Sequence, residues 1–117
     1  MLLVTNYTTI LFLFIIIVPS IAPANTFSQV IDSHTLLLLW EDLPLEHTNG
    51  IIQGYIVTIV EQETGREFSY LSVISMLTVT SLHPAYSYEW NVTAFTRIGE
   101  GPASFPPNRI QTSEDGN

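Results

Sequence analysis

The sequence predicts an all-β domain built as an antiparallel two-sheet sandwich, and three observations support that prediction. From residue 25 onward, short runs rich in Val, Ile, Leu, Thr and aromatic residues are separated by turn residues. Within these runs every second position is apolar, which is typical of a strand with one buried face. The chain has 117 residues, enough for one domain with a modest core.

Seven segments have this strand pattern. Thr64 and Gly65 predict a tight hairpin between the third and fourth segments. Asn49 and Gly50 predict only a local turn inside a longer connection between sheets, because Pro44 makes the preceding stretch irregular. Seven short strands are the number expected of an immunoglobulin-like sandwich. The predicted strands are 27–31, 35–40, 54–61, 67–73, 77–80, 88–96 and 108–112.

The N-terminus predicts a secretion signal. Residues 10–18 form an unbroken apolar run, shorter than the roughly 20 residues that cross a bilayer but suited to a signal-peptide core. Ala22, Pro23 and Ala24 match the small-residue cleavage pattern, so we expect a signal peptide at 1–24, the domain at 25–112 and a polar linker or tail at 113–117. No Lys or Arg precedes the run, which leaves open an uncleaved anchor or a piece of a longer chain.

Composition excludes several function classes. The chain has eleven acidic residues but only three arginines and no lysine. It lacks the positive charge needed to bind a phosphate backbone, so we expect no nucleic-acid partner. A membrane would be contacted only through an uncleaved leader. Without cysteine there is neither a disulfide nor a thiolate metal site, and His34, His47 and His83 lack metal-ligand spacing. No nucleophile pattern occurs, so we expect no enzyme activity, metal or cofactor.

Alternation places apolar residues inward, and four spaced features of this set resemble the fibronectin type III family. They are Trp40 ending the second strand, Gly54–Tyr55 opening the third, the Leu82, Pro84 and Tyr88 spacing, and the turn 99–102. The resemblance implies a seven-stranded sandwich that binds or spaces rather than catalyses, and a "tyrosine corner" at Tyr88. The predicted structural core includes Trp40, Tyr55, Leu82, Pro84, Tyr88 and Trp90.

Three outward features are candidates for recognition. Asn91, Val92 and Thr93 form an N-glycosylation sequon on the outer face of its sheet. Leu37 and Leu39 take outward positions that are usually polar, which suggests a contact patch, although isolated surface leucines are common. The turn containing Arg97, Ile98 and Glu100 is the third candidate, and it lacks an Arg-Gly-Asp motif. Glu61, Glu63 and Glu67 predict a solvated hairpin edge.

These observations predict a non-enzymatic interaction or spacer module, secreted or at the cell surface, within an adhesion or receptor-type protein. Its protein partner is not identified, although a neighbouring domain or a second copy would suit the leucine patch. One alternative is the ectodomain fragment of a receptor tyrosine phosphatase or kinase whose catalytic part lies elsewhere. An intracellular structural module is a further alternative, which the hydrophobic leader opposes.

Overall fold

The computed structural model describes residues 18–115, which form eight β-strands and one short 3-10 turn at Leu45–His47. No helix within these residues is long and apolar enough to cross a membrane. The strands are β1 (Phe27–Asp32), β2 (Thr35–Leu39), β3 (Gly54–Glu61), β4 (Glu67–Ser72), β5 (Met76–Val79), β6 (Ser87–Phe95), β7 (Glu100–Ala103) and β8 (Asn108–Gln111).

The strands make two antiparallel sheets. One has three strands in the order β1-β2-β5, and the other has five, in the order β4-β3-β6-β7 with β8 also paired to β6. The connection from β2 to β3 crosses between the sheets, as the sequence predicts. The hairpin between β3 and β4 is also confirmed: Gly65 has φ +75° and donates its amide to the Glu61 carbonyl (2.7 Å). Glycine adopts this φ without steric cost.

The inward faces of the two sheets enclose one apolar core. Trp40 packs edge-on against Tyr55, with ring centroids 5.4 Å apart. Pro84 is half-buried and lies outside this core, because the turn before β6 keeps it near the surface. The sequence pattern missed Leu43, which the β2–β3 connection folds inward. The buried apolar residues are Leu36, Leu38, Trp40, Leu43, Tyr55, Val57, Ile59, Val79, Leu82, Tyr88, Trp90, Val92 and Ala94.

The structure has one strand more than the sequence predicts: the last predicted strand, 108–112, is present as β8, and β7 forms where a turn is expected. Both β7 and β8 pair with the same edge of β6, where the sequence predicts a glycine-marked turn followed by one strand. Pro106 and Pro107 lie between the two segments and have no backbone N–H to continue the ladder. Ser104 spans the gap, since its amide donates to the Val92 carbonyl (2.9 Å) and its hydroxyl accepts from the Val92 amide (2.9 Å).

Residues 18–24, here called the N-terminal strap, pack against one pole of the sandwich. The Ser20 amide donates to the His47 carbonyl (3.0 Å), and the Glu41 amide donates to the Ala24 carbonyl (3.0 Å). Pro19 is buried so close to Gly101 that a Cβ there would lie 2.7 Å from the proline ring. The strap therefore contacts the sandwich, and the predicted signal peptide at 1–24 includes these residues. Residues 1–17 of that predicted leader lie outside the described residues.

The chain's C-terminal end folds back onto the opposite pole. The Ala85 amide donates to the Ser113 carbonyl (3.1 Å), and Ser33 donates its hydroxyl hydrogen to the Asp115 carboxylate (2.7 Å). His34 also pairs with Asp115 (3.0 Å). Residues 113–115, predicted as linker or tail, thus contact the domain, and residues 116–117 lie outside the described part of the chain.

Candidate interaction surface

The outer face of the three-stranded sheet carries a row of apolar side chains. Leu39 lies directly opposite Phe27 on β1 and Met76 on β5, and opposed residues in an antiparallel pair share a face. Phe27 is 56% exposed and Met76 is 42% exposed, while Leu39 between them is half-buried. Three apolar residues from three strands therefore form one continuous outward row.

Leu37 extends this row by one step along β2. It is half-buried and lies opposite Gln29 on β1 and Thr78 on β5. Leu36 and Leu38, its neighbours in sequence, are buried in the core, which fixes the outward direction of Leu37 and Leu39. We call Phe27, Leu37, Leu39 and Met76 the apolar face; its two polar neighbours, Gln29 and Thr78, are uncharged.

The turn between β6 and β7 forms a separate candidate site at the pole that holds the strap. Arg97, Ile98 and Glu100 are all exposed there. A groove of about 440 Å³ separates this turn from the β2–β3 connection and is lined by Ile51, Arg97 and Ile98 among others. The Thr96 amide closes the turn by donating to the Gly99 carbonyl (3.0 Å). This turn belongs to the five-stranded sheet, whereas the apolar face belongs to the three-stranded sheet, so the two candidate sites are separate surfaces.

Asn91 lies on the outer face of the five-stranded sheet. It is half-exposed and opposite Thr58 on β3, while Trp90 and Val92 on either side of it point into the core. Its amide side chain makes no hydrogen bond within residues 18–115. Nearby, Glu89 and Arg109 form an ion pair on the same outward surface. This face therefore has a polar centre, unlike the apolar face.

The tyrosine corner implied by the sequence is present at Tyr88. Its buried hydroxyl accepts a hydrogen bond from the His83 amide (2.9 Å) and donates one to a Glu61 carboxylate oxygen (3.1 Å). Burial, with the neighbouring Glu61, raises the pKa of Tyr88 to about 12. The hydroxyl is thus held as a neutral donor that fixes the turn before β6. This network is structural and is enclosed within the domain.

Glu61 corrects the prediction of a wholly solvated hairpin edge, because this residue is only 1% exposed. Its carboxylate accepts hydrogen bonds from the hydroxyls of Thr64 (2.6 Å) and Tyr88 (3.1 Å). Burial raises the pKa of the Glu61 carboxyl, but these hydrogen bonds and the nearby cationic groups leave it below the usual value. The signal was present in the sequence, because Glu61 is in phase with the buried residues Tyr55, Val57 and Ile59 on β3.

The histidines lie apart and make local contacts. His34 Nδ1 bonds the Leu82 carbonyl (2.7 Å), and His47 Nδ1 lies 3.1 Å from the Ser20 hydroxyl. The His83 ring stacks at a tilt on Tyr86. Among residues 18–115, no group of three or more His, Asp or Glu side chains could hold a metal ion.

A two-sheet antiparallel sandwich with a tyrosine corner on its sixth strand is an immunoglobulin-like β-sandwich domain. Within that class, the model of the fibronectin type III domain matches residues 22–109, and the chain belongs to this family. Its fold is similar to the third fibronectin III domain of human KIAA0343 protein, with a TM-score of 0.76 and 24% identity over 86% of this chain and 88% of that one. In the proteins it resembles, this domain is a non-catalytic module.

Sequence relatives are much longer proteins. The chain is 33% identical over 102 residues to protein sidekick of Drosophila melanogaster and 30% identical over 95 residues to the cell adhesion molecule Dscam2 of the same species. It is 32% identical over 101 residues to receptor-type tyrosine-protein phosphatase F of Mus musculus. These alignments cover 84%, 76% and 82% of this chain but only 5% of each relative.

Proposed function

We propose that this chain is a non-enzymatic protein-interaction module of a secreted or cell-surface protein of adhesion or receptor type. The similarity to a cell adhesion molecule and to a receptor-type phosphatase supports that setting. The observation that carries the proposal is the apolar face, because a row of exposed or half-exposed large apolar residues across three strands is a surface suited to a protein contact.

The occupant that we propose for the apolar face is a second copy of the same chain. The chain has a formal net charge of −8, so two copies repel each other over most of their surfaces. The apolar face and its neighbours Gln29 and Thr78 carry no charge, so two copies can approach there with the least repulsion. A two-fold arrangement would set each apolar row against its equivalent.

Such a contact is expected to be weak for one pair of modules. A stable protein interface buries about 800 Å² on each partner, whereas the apolar face consists of four side chains on three short strands. Burial of an apolar side chain contributes roughly 1.5 to 3 kcal/mol, so a few of them yield a modest affinity. Several modules held side by side can raise that affinity through avidity, as long surface proteins allow.

The experiment is a clustering assay with beads that carry the chain at controlled density. We expect wild-type beads to cluster, and the double variant Phe27→Ser/Met76→Ser to cluster at least about tenfold less, because two apolar contacts are lost from each partner. Alanine at Leu37 and Leu39 should act in the same direction. Thermal unfolding of each variant shows whether it remains folded.

The matched control is Leu71→Ser. Leu71 is 71% exposed and lies on β4, at the edge of the other sheet. Its replacement removes an exposed apolar side chain similar in size to Met76, but away from the apolar face, and should leave clustering unchanged. Wild-type beads that stay dispersed at every density, or an equal loss in the Leu71 variant, would contradict the second-copy proposal. A chain retained in the cytosol of secreting cells would contradict the extracellular setting.

The similarity to receptor-type tyrosine-protein phosphatase F favours a second candidate, in which this module is part of a receptor whose enzyme lies elsewhere in the gene. The module itself would remain a contact surface in that case. Sequencing the transcript past Asn117 separates the two: a phosphatase or kinase coding region supports the receptor, and an in-frame stop directly after Asn117 eliminates it.

A further inference from the structure

We propose that Asn91 carries an N-linked glycan, and that this glycan closes the outer face of the five-stranded sheet to protein contacts. The inference rests on the proposed extracellular setting. Asn91, Val92 and Thr93 supply the acceptor motif, with no proline at the middle position. The apolar face on the other sheet would then be the open broad surface of the sandwich.

The modification is a group transfer onto the Asn91 side chain. The Nδ2 atom forms a bond to the anomeric carbon of an oligosaccharide carried on a lipid pyrophosphate. The bond from that carbon to the pyrophosphate oxygen breaks, the lipid pyrophosphate leaves with the bonding electrons, and Nδ2 loses one proton to the solvent. The product keeps one N–H on the amide and adds no charge to the protein.

The position of Asn91 in the folded domain accommodates such a product. Its side chain points outward, is half-exposed and makes no hydrogen bond within residues 18–115, so a sugar on Nδ2 displaces no protein contact. A shallow depression of about 90 Å³ lies beside it, bordered by Thr58, Val60 and Pro107. This proline lies in the interruption between β7 and β8.

The burial of Thr93 implies that the glycan is added before β6 has paired with its neighbours. It is only 8% exposed in the folded domain, so the hydroxyl that the acceptor motif requires is covered once β6 has paired on both sides. The strands that complete β6 on one side, β7 and β8, come later in the chain. Ala103, the partner of Thr93 on β7, is added ten residues after it, so synthesis at about 5 to 20 residues per second leaves the motif open for roughly 0.5 to 2 seconds. Transfer is therefore expected during synthesis.

The glycan would leave only one of the two outer faces open to a protein partner. A glycan on β6 sits at the middle of the five-stranded sheet, because β6 has β3 on one side and β7 with β8 on the other. It would cover the Glu89–Arg109 ion pair and the neighbouring β3 positions. The apolar face lies across the core from it and stays uncovered.

The test uses the whole 117-residue chain, produced in mammalian cells behind an added secretion signal. Every version carries Asn6→Gln, because Asn6-Tyr7-Thr8 is a second acceptor motif. We expect the secreted protein to lose mass on treatment with an N-glycosidase and Asn91 to be converted to Asp by that enzyme. The Asn91→Gln and Thr93→Ala variants should both lack the mass loss, while Thr93→Ser should keep it.

A secreted Asn6→Gln chain with Asn91 intact whose mass does not change with the N-glycosidase overturns the inference and leaves the proposed function intact. Cytosolic retention of the chain with its own N-terminus, measured in a parallel culture, overturns the extracellular setting instead. Because Thr93 is buried, Thr93→Val provides a folded alternative to the alanine variant. Glycosylated and Asn91→Gln beads should cluster equally, and stronger clustering without the glycan would contradict its placement away from the apolar face.

Discussion

The two sheets of this domain bury similar inward faces and present different outward ones. The three-stranded sheet has an apolar row from Phe27 across Leu39 to Met76, whereas the five-stranded sheet has a sequon asparagine and an ion pair at its centre. Both inner faces are apolar because they share one core. The two sheets differ in their outward-facing side chains. The fold therefore constrains the inward-facing residues of each strand and leaves the outward-facing ones free to serve recognition.

The sharpest contrast is between adjacent leucines on β2, and it carries the largest expected effect. Leu38 is fully buried, so Leu38→Ala should lower the free energy of unfolding by about 2 to 5 kcal/mol through lost burial and a cavity. Leu37→Ala, one residue away on the outward side, should cost under about 1.5 kcal/mol. Urea unfolding of the two variants measures both values. Equal costs would contradict the assignment of the faces.

Removal of the strap tests how much it contributes to holding the two sheets together at one pole. The strap reaches Glu41 after β2 and Gly101 in β7, so it bridges both sheets. Removing residues 18–24 should cost about 2 to 4 kcal/mol, since Pro19 and Ile21 lose their buried contacts. Gly101→Ala should reproduce part of that loss by forcing Pro19 away. A shortened domain that begins at Asn25 and unfolds at the same urea concentration would show that the strap adds nothing.

The two sheets should also respond to pH in opposite directions. Glu61 in β3 has a pKa below its usual value, so its contribution is present above about pH 4.5 and is lost as the pH falls through the folded pKa. His34, just before β2, bonds the Leu82 carbonyl and pairs with Asp115, and its pKa is raised. Its contribution is present below about pH 6.5 and is lost as the pH rises through the folded pKa.

Single substitutions separate these two titrations. Glu61→Gln should flatten the loss of stability on the acid side, and His34→Gln should flatten the smaller change near neutral pH. Asp32 and Asp115 also act on His34, so Asp115→Asn should resemble the His34 variant. Urea midpoints measured from pH 3 to pH 8 check each one. An acid loss that persists unchanged in Glu61→Gln would assign it to other carboxylates.

The sequence predicted the sandwich, its sheets' inward faces and most of the core, because alternation and turn residues are local signals. Trp40, Tyr55, Tyr88 and Trp90 are buried aromatic residues that the pattern places correctly on inward faces. The pattern did not reveal β7, because Gly101 and Pro102 within it are residues more typical of a turn than of a strand. Leu43 was missed because a connection rather than a strand carries it inward.

Two further features depend on contacts that local patterns do not contain. Glu61 follows the apolar alternation of β3, but its charge suggests solvent until its partners Thr64 and Tyr88 are brought together by the fold. The strap has small residues that match a cleavage pattern, while its hydrogen bonds to His47 and Glu41 depend on tertiary structure. In both cases the contact joins residues that are distant in the chain, so a short motif does not reveal it.

The central claim is that two copies meet through the apolar face, and a placed photo-crosslinker tests it most directly. Gln29 is exposed beside Leu37 on that face, and Ser69 is exposed on β4 of the other sheet. With a photoreactive residue in place of Gln29, illumination of clustered or concentrated protein should yield crosslinked dimers, and the same residue at position 69 should yield few or none. Equal yields at both positions, or dimers only from position 69, would contradict the account.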